Sequence, residues 1–391
     1  MSTNLATIIG GPCLIQYDGS TFRSKGDVTL NLSLDTFDVV NDLYGAVDKR
    51  VSGQPVKVSF TPEGIFSDLS VLFPYLSSAI GSLITPRYPV SAVDATADTV
   101  AVAATSLAAG TPVSFGTTDT MPTGLTAATL YYLSADAAGL RTVHLTAAAA
   151  IAATSAIDIT AIGSGDLAFV IQKALVIIGN DGTRITLHNA AVSKMPSLVL
   201  SSIATLWGDV EFECFAKNGI AWSTAASLYT IDTATFADSG FDPADILTQP
   251  YAFTWGAAPW ASVYTKTGIK VDPTLSLEAV EDDASGILTR RISALAFTAK
   301  AQPMGPSLSD LMTAIALQGA GATRGRSLAG SDYNIEGTGV YVRLYAAALV
   351  GGPALWSSKL DRMGELTWQA TRTFTSGVSN PLFYIGAAAP A

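Results

Sequence analysis

The two halves of this sequence repeat one pattern of strand-like segments in the same order, and this repeat constrains the fold more than any other feature. The clearest match pairs Leu187-His-Asn-Ala-Ala-Val192 with Leu344-Tyr-Ala-Ala-Ala-Leu349. A short Pro-x-Leu segment follows each copy at the same spacing, Pro196-Ser-Leu198 and Pro353-Ala-Leu355. Further matches are Gly208-Asp-Val-Glu-Phe212 with Gly364-Glu-Leu-Thr-Trp368, Gly11-Pro-Cys-Leu-Ile-Gln-Tyr17 with Ala258-Pro-Trp-Ala-Ser-Val-Tyr264, and Phe60-Thr61 with Phe297-Thr298. The repeat predicts a duplication, and a duplication constrains the symmetry of any assembly.

Alternation of apolar and polar residues predicts a mainly β fold. Residues 28–34 and 56–60 alternate with the period of half-buried strands, and residues 175–187 predict a hairpin with Asp181-Gly182 at its turn. Helical spacing predicts one short helix within 64–81, and the capping pattern Ser307-Leu-Ser-Asp310 predicts its copy. We therefore expect two tandem β-sandwich or β-barrel domains, each with a long hairpin arm and one short helix.

One segment of the first half has no counterpart in the second. Residues 93–171 contain short strand patterns separated by Gly, Pro and Ala-Asp turns, which predicts an inserted small β-domain on the exterior. The expected division is a discontinuous first domain at 1–92 and 172–220, the insert at 93–171, a connector at 221–252 and a second domain at 253–391.

The composition excludes several classes of protein. Of 391 residues, 49% are hydrophobic and 14% are charged, so a disordered polymer is excluded. No uniformly apolar run reaches the roughly 20 residues of a spanning helix, and the start of the chain lacks a signal-peptide pattern, so we expect no membrane partner. The net charge of −10 argues against specific nucleic-acid binding, because affinity for phosphate comes largely from Lys and Arg.

The reactive side chains are too few and too scattered to predict catalysis or a cofactor. Cys13 and Cys214 align with Trp260 and Ala370 of the other half, which predicts packed, free thiols. His188 aligns with a tyrosine, and no phosphate-binding loop or nucleophile elbow is present in the sequence. We expect no enzymatic activity, no cofactor and no metal.

Charged residues cluster on the two predicted arms, at residues 35–55 and around an acidic loop at 278–283. The charged ends of the arms can be solvated. Alternatively, the basic pairs of one subunit can contact the acidic loops of a neighbour, which would determine the register between subunits more than their affinity. The candidate inter-subunit residues are Asp38, Asp42, Lys49, Arg50, Glu281, Asp283, Arg290 and Arg291.

These segments resemble a known family. The opening at residues 11–19, the arm at 35–55 and the strand at 56–64 are similar to the major tail tube proteins of long-tailed bacteriophages. The resemblance implies stacked rings around a channel that conducts double-stranded DNA without binding it specifically, with a tape measure protein in the lumen. It also implies tail terminator and distal tail proteins at the ends, and a location in the virion tail after assembly in the host cytoplasm. We expect Asp27 and Asp35 to face the lumen.

The duplication turns this resemblance into a symmetry prediction. Rings of this family usually hold six tube domains, so a chain with two such domains would form a ring of three copies with pseudo-sixfold symmetry. The alternatives are a distal tail or baseplate ring protein, a head-decoration protein of a phage, and a secreted β-sandwich adhesin.

Overall fold

The coordinates are a computed structural model, and the description below covers part of the chain. The described residues are 5–32, 35–41, 45–53, 56–64, 66–76, 78–102, 107–202, 205–215, 228–237, 249–256, 260–282, 286–304, 310, 313, 330–351, 364–371, 374–375, 378–379, 381–386 and 388–390. This part of the chain is mainly β, which confirms the predicted fold class.

The N-terminal part forms eight strands and a short helix. Alternation in the sequence becomes alternation in burial: Val56, Val58 and Phe60 point into the core and the residues between them do not. Helix α1 (Phe66–Leu69), followed by a 3-10 turn (Ser70–Leu72), lies within 64–81, where the sequence predicts one short helix, and the turn ends two residues before Pro74. The strands are β1 (Leu5–Ile9), β2 (Leu14–Tyr17), β3 (Ser20–Ser24), β4 (Val28–Leu32), β5 (Asp35–Asn41), β6 (Gly45–Gly53), β7 (Val56–Phe60) and β8 (Pro62–Glu63).

The insert is a closed six-stranded barrel with strand order β10-β13-β12-β11-β14-β9. A core of its own, with Phe115 and Phe169 fully buried, fills the barrel. Its elements are β9 (Arg87–Asp94), β10 (Thr99–Val102), β11 (Thr111–Gly116), β12 (Tyr131–Leu133), β13 (Leu140–His144), α2 (Ala147–Ala152) and β14 (Ala168–Ile171).

After the insert the chain returns to the first half. Its strands there are β15 (Leu175–Ile178), β16 (Thr183–Leu187), β17 (Ala190–Lys194), β18 (Leu198–Leu200), β19 (Thr205–Trp207), β20 (Val210–Cys214) and β21 (Tyr229–Thr233). The last of these pairs with β16, so residues that the sequence assigned to a connector instead complete a sheet of the first half.

The second half is a barrel closed by long strands. Its strands are β22 (Ala252–Trp255), β23 (Val263–Asp282), β24 (Gly286–Met304), β25 (Ser331–Gly337), β26 (Val340–Gly351), β27 (Leu366–Gln369), β28 (Phe374–Thr375), β29 (Val378–Ser379) and β30 (Phe383–Gly386). Pairing runs β22-β25-β26-β27-β24-β23 and returns to β22. The predicted acidic loop at 278–283 is wrong as far as residue 282, because those residues continue β23; the predicted second helix lies outside the described residues except for Asp310 and Thr313.

The halves share one order of strand pairing. In the first half β2 joins β3 to β15, β15 pairs with β16, and β17-β20-β7-β4 form the other sheet. In the second half β22, β25 and β27 take the places of β2, β15 and β20. The long strands β23, β24 and β26 each replace two short ones: β3 with β4, β7 with β8, and β16 with β17.

A single hydrophobic core runs through both halves and is separate from the core of the insert. Phe73 of the first half lies with its ring centroid 5.8 Å from that of Phe383, which stacks at 4.6 Å on Phe297 of the second. Burial of this shared apolar surface holds the halves together, since aromatic side chains dominate such contacts. Within the described residues, no helix combines the length and apolarity needed to cross a membrane.

Candidate subunit interface

The hairpin of β23 and β24 extends past the barrel of the second half as an arm. The two strands pair from Asp272 opposite Thr298 out to Asp282 opposite Gly286. In the described residues, β27 covers β24 only at Thr298–Ala301, so the outer part of the hairpin projects beyond the barrel. A projecting two-stranded hairpin exposes its edges and is only marginally stable alone, so it needs a partner surface.

The first half provides that surface through residues 81–85, just before the insert. The Ile292 N–H donates to the Ser82 carbonyl at 2.9 Å and its own carbonyl accepts from the Gly81 N–H at 2.8 Å. The hydroxyl oxygens of Thr85 and Thr289 lie 2.7 Å apart and share a hydrogen bond. The segment therefore pairs with the outer edge of β24, and the arm of one half is held by the other half.

An ion pair anchors the same contact. Arg290 on β24 donates from Nε and Nη2 to the carboxylate of Glu213 on β20, the second bond measuring 2.7 Å. The Glu213 side chain is 3% exposed and the Arg290 side chain 19%. A two-bonded arginine–carboxylate pair gives geometric specificity, and removing one partner would leave the other charge buried.

The neighbouring Arg291 forms a different kind of pair. Its Nη2 donates at 2.7 Å to Glu278 across the same hairpin, and both side chains are more than half exposed. Pairs of this kind contribute about 0–1 kcal/mol. The two predicted inter-subunit arginines therefore sit along β24, one joining the halves and the other bracing the arm.

The remaining sequence-predicted residues lie on both arms. Asp38 on β5 is exposed and directly opposite Lys49 on β6, and Phe37 is opposite Arg50. Glu281 is exposed near the end of β23, opposite Ile287. Asp42 and Asp283 lie outside the described residues, as do the side chains of Lys49 and Arg50.

The two predicted lumen residues lie at different places in the first half, Asp27 before β4 and Asp35 at the start of β5. Asp27 is exposed before β4 and accepts a hydrogen bond from the Gly11 N–H at 2.9 Å. Asp35 begins β5 opposite Gly53, and its side chain is outside the described set. Which face of the sheet meets a channel stays a prediction.

The hairpin of β18 and β19 is a contact that sequence reasoning missed. It belongs to the first half by chain order, but β18 pairs antiparallel with β23 of the second, from Leu198 opposite Val271 to Leu200 opposite Ile269. Leu198 and Leu200 are fully buried there. The Pro-x-Leu match marked this segment in the sequence, but its partner lies some 70 positions away and no local pattern identifies it.

The buried thiols of the first half confirm the expectation of free cysteines. Cys13 and Cys214 are unpaired and buried. Burial raises the pKa of Cys214 to about 12 and also raises that of Cys13, so both are protonated near neutral pH. Among the described residues no group of His, Cys, Asp and Glu side chains is arranged to hold a metal ion.

The two halves thus contact each other through unlike elements: a strand edge of the second half receives β18, and residues 81–85 of the first receive the arm. A contact of unlike surfaces is heterologous and can repeat from copy to copy. Comparison with known proteins adds no name to this geometry: the chain matches no protein-family model and has no significant match among curated proteins.

Proposed function

We propose that this chain is a structural virion protein that polymerises as stacked rings into the tail tube of a long-tailed bacteriophage, a conduit for double-stranded DNA. The proposal rests on the resemblance of the sequence and on one observation of the fold. That observation is the head-to-tail contact between the two halves, in which β18 of one unit extends the sheet of the next.

The head-to-tail contact supports a ring because it uses different surfaces on the two units. If the units met face to face through the same elements, the pair would be closed and complete. Here one face of a unit offers the strand β18 and residues 81–85, which receive an arm, and the other face offers the edge of β23 and the arm itself. Repeating that contact between chains closes a ring when the rotation between units divides a full turn. With two units per chain, three copies give six units.

The charge of the protein suits a conduit. The net charge is −10, and an acidic wall repels phosphate so that DNA passes without specific contacts. Sheets that continue from subunit to subunit would leave no free edges. The inserted barrels would then stand apart from the channel as three projections.

The proposed partners follow from this role. They are other copies of the chain, a tape measure protein in the lumen, and tail terminator and distal tail proteins at the two ends. The proposed location is the virion tail, with assembly in the host cytoplasm. We propose no enzymatic activity and no cofactor.

Electron microscopy of the purified protein over a range of concentrations tests the proposal. We expect rings or hollow tubes with a central pore. Tubes of many stacked rings would separate a tube protein from a distal tail protein, which would form single rings. A chain that remains monomeric at high concentration would contradict the proposal.

A further inference from the structure

We propose that the N-terminal strand β1 is a placeholder that assembly removes, and that residues 353–357 of a second copy take its position on β4. This inference rests on the proposed ring. It identifies the segment that joins one chain to the next. It also makes β1 the element that blocks this contact before assembly.

The first step is that β1 and β18 occupy equivalent positions. Phe212 and Trp368 are matching core residues in the repeat. From Phe212 the direct strand partners run through Val58 and Leu30 to Thr7 on β1. From Trp368 they run through Ala299 and Val271 to Leu198 on β18.

The equivalence holds along the strand and in direction. Two residues further, Val28 pairs with Ile9 as Ile269 pairs with Leu200. Both β1 and β18 run antiparallel to the strand they cover. One sheet edge therefore exists twice in the chain, and its occupants come from different sources: β18 comes from the other half, whereas β1 comes from the same half.

The second step is that the sequence contains a second donor. Residues Pro196-Ser-Leu-Val-Leu200 end in β18, and their repeat in the other half is Pro353-Ala-Leu-Trp-Ser357. Leu355 matches Leu198, which is fully buried where β18 covers the second half. Within a chain, residues 196–200 supply the strand that pairs with the edge of β23. For residues 353–357 the matching edge is that of β4 in another copy.

The third step concerns what covers that edge in a single chain. Strand β1 is the outermost strand of its five-stranded sheet in the described part of the protein. A free edge is a template for uncontrolled pairing, and covering it with a short local strand blunts that hazard. Among the described strands β1 pairs only with β4, so its release breaks that one strand pairing and uncovers Ile9 of the core.

Disulfide trapping in the full-length chain tests the exchange. Thr29 corresponds to Lys270 and Trp356 to Val199, and Val199 is the direct partner of Lys270. A Thr29→Cys chain mixed with a Trp356→Cys chain should give a covalent dimer under mild oxidation once assembly begins. The matched control is Val199→Cys with Lys270→Cys in one chain, which should give an intramolecular disulfide and no dimer.

A second variant keeps β1 in place. Ala6 and Asn31 are direct partners, so Ala6→Cys with Asn31→Cys should lock β1 on β4. We expect the oxidised lock to remain unassembled and to form rings after reduction. Rings from the oxidised lock, or wild-type rings whose mixed variants give no covalent dimer, would overturn the exchange and leave the proposed tube standing. Neither rings nor dimer under any condition would overturn both.

Discussion

The two halves of the molecule share one order of strand pairing, but their strands differ in continuity. The first half breaks its strands at three corners, between β3 and β4, β7 and β8, and β16 and β17, where the second half runs straight through in β23, β24 and β26. The long strands keep their path by shifting register, as at the irregularity between Thr265 and Ile269. A bulge adds local twist without ending the strand. The two halves therefore have the order of strand pairing in common, whereas local corners and bulges determine the length of each strand.

The largest expected effect compares two positions in the shared core, one in each half. Trp368→Ala should lower the free energy of unfolding by about 3–5 kcal/mol, as for other buried aromatic truncations. Its fully buried indole contacts four aromatic rings, whereas Phe212 contacts two: Phe253, Trp255, Trp260 and Tyr333 against Tyr17 and Phe60. Phe212→Ala is therefore the matched variant and should cost less. Chemical denaturation measures both, and equal losses would contradict the comparison.

The next effect tests the joint between the halves. Arg290→Ala leaves the buried Glu213 carboxylate without its two-bonded partner and should cost about 3 kcal/mol. Arg291→Ala is the control because its pair is exposed, and it should cost less than about 1 kcal/mol. Thermal and urea unfolding should rank the two in that order. The reverse ranking would mean that the arm does not depend on the first half.

A smaller effect concerns Gly268, which lies at the register shift in β23. Gly268 has φ +89°, and a Cβ there would lie 2.5 Å from the Leu200 carbonyl oxygen of β18. Gly268→Ala should cost about 1–3 kcal/mol through backbone strain and should loosen β18. Gly26, at a corner of the first half, has nothing within 4 Å of such a Cβ, so Gly26→Ala should change stability by less than about 0.5 kcal/mol. Hydrogen exchange of the β18 amides should rise in the first variant alone.

The smallest effect is the pH dependence of stability that the buried Cys214 thiol of the first half contributes. Cys214 has a folded pKa of about 12 against an ordinary value of 9.0. Because the pKa is higher in the folded state, the thiol stabilises the folded protein at pH values below its unfolded pKa. This contribution is lost as the pH rises from 9 towards 12. At pH 10 this thiol should lower the free energy of unfolding by about 1 kcal/mol. The free energy of unfolding should fall more steeply with pH above pH 9 in the wild type than in Cys214→Ala. Equal slopes in the two proteins would contradict a raised pKa for the buried thiol.

Local pattern predicted the strands well because burial on one face imposes a period of two. The strand at Val56–Phe60 and the hairpin turning at Asp181-Gly182 were identified in this way, and the structure confirms both. The acidic composition of residues 278–283 predicts a loop, whereas β23 continues to Asp282, since an arm that projects from the barrel has little burial to impose the strand pattern. Local reasoning fails where tertiary contact decides the structure.

The interface was less predictable than the strands. The basic pair Arg290-Arg291 was recognised, but its partners were not, because Glu213 reads as an ordinary outward residue of an alternating strand. Its partner Arg290 comes from the arm of the other half. The β18–β23 pairing was missed for the same reason: the halves meet through long-range contacts that no sequence window contains.

The central claim is that one chain supplies two consecutive units of a ring. Cryo-electron microscopy of assembled particles, with the number of chains counted in each ring, tests it most directly. We expect three chains per ring, six similar units around the channel and three inserted barrels outside. Six chains per ring, or a closed two-fold dimer without a channel, would contradict it.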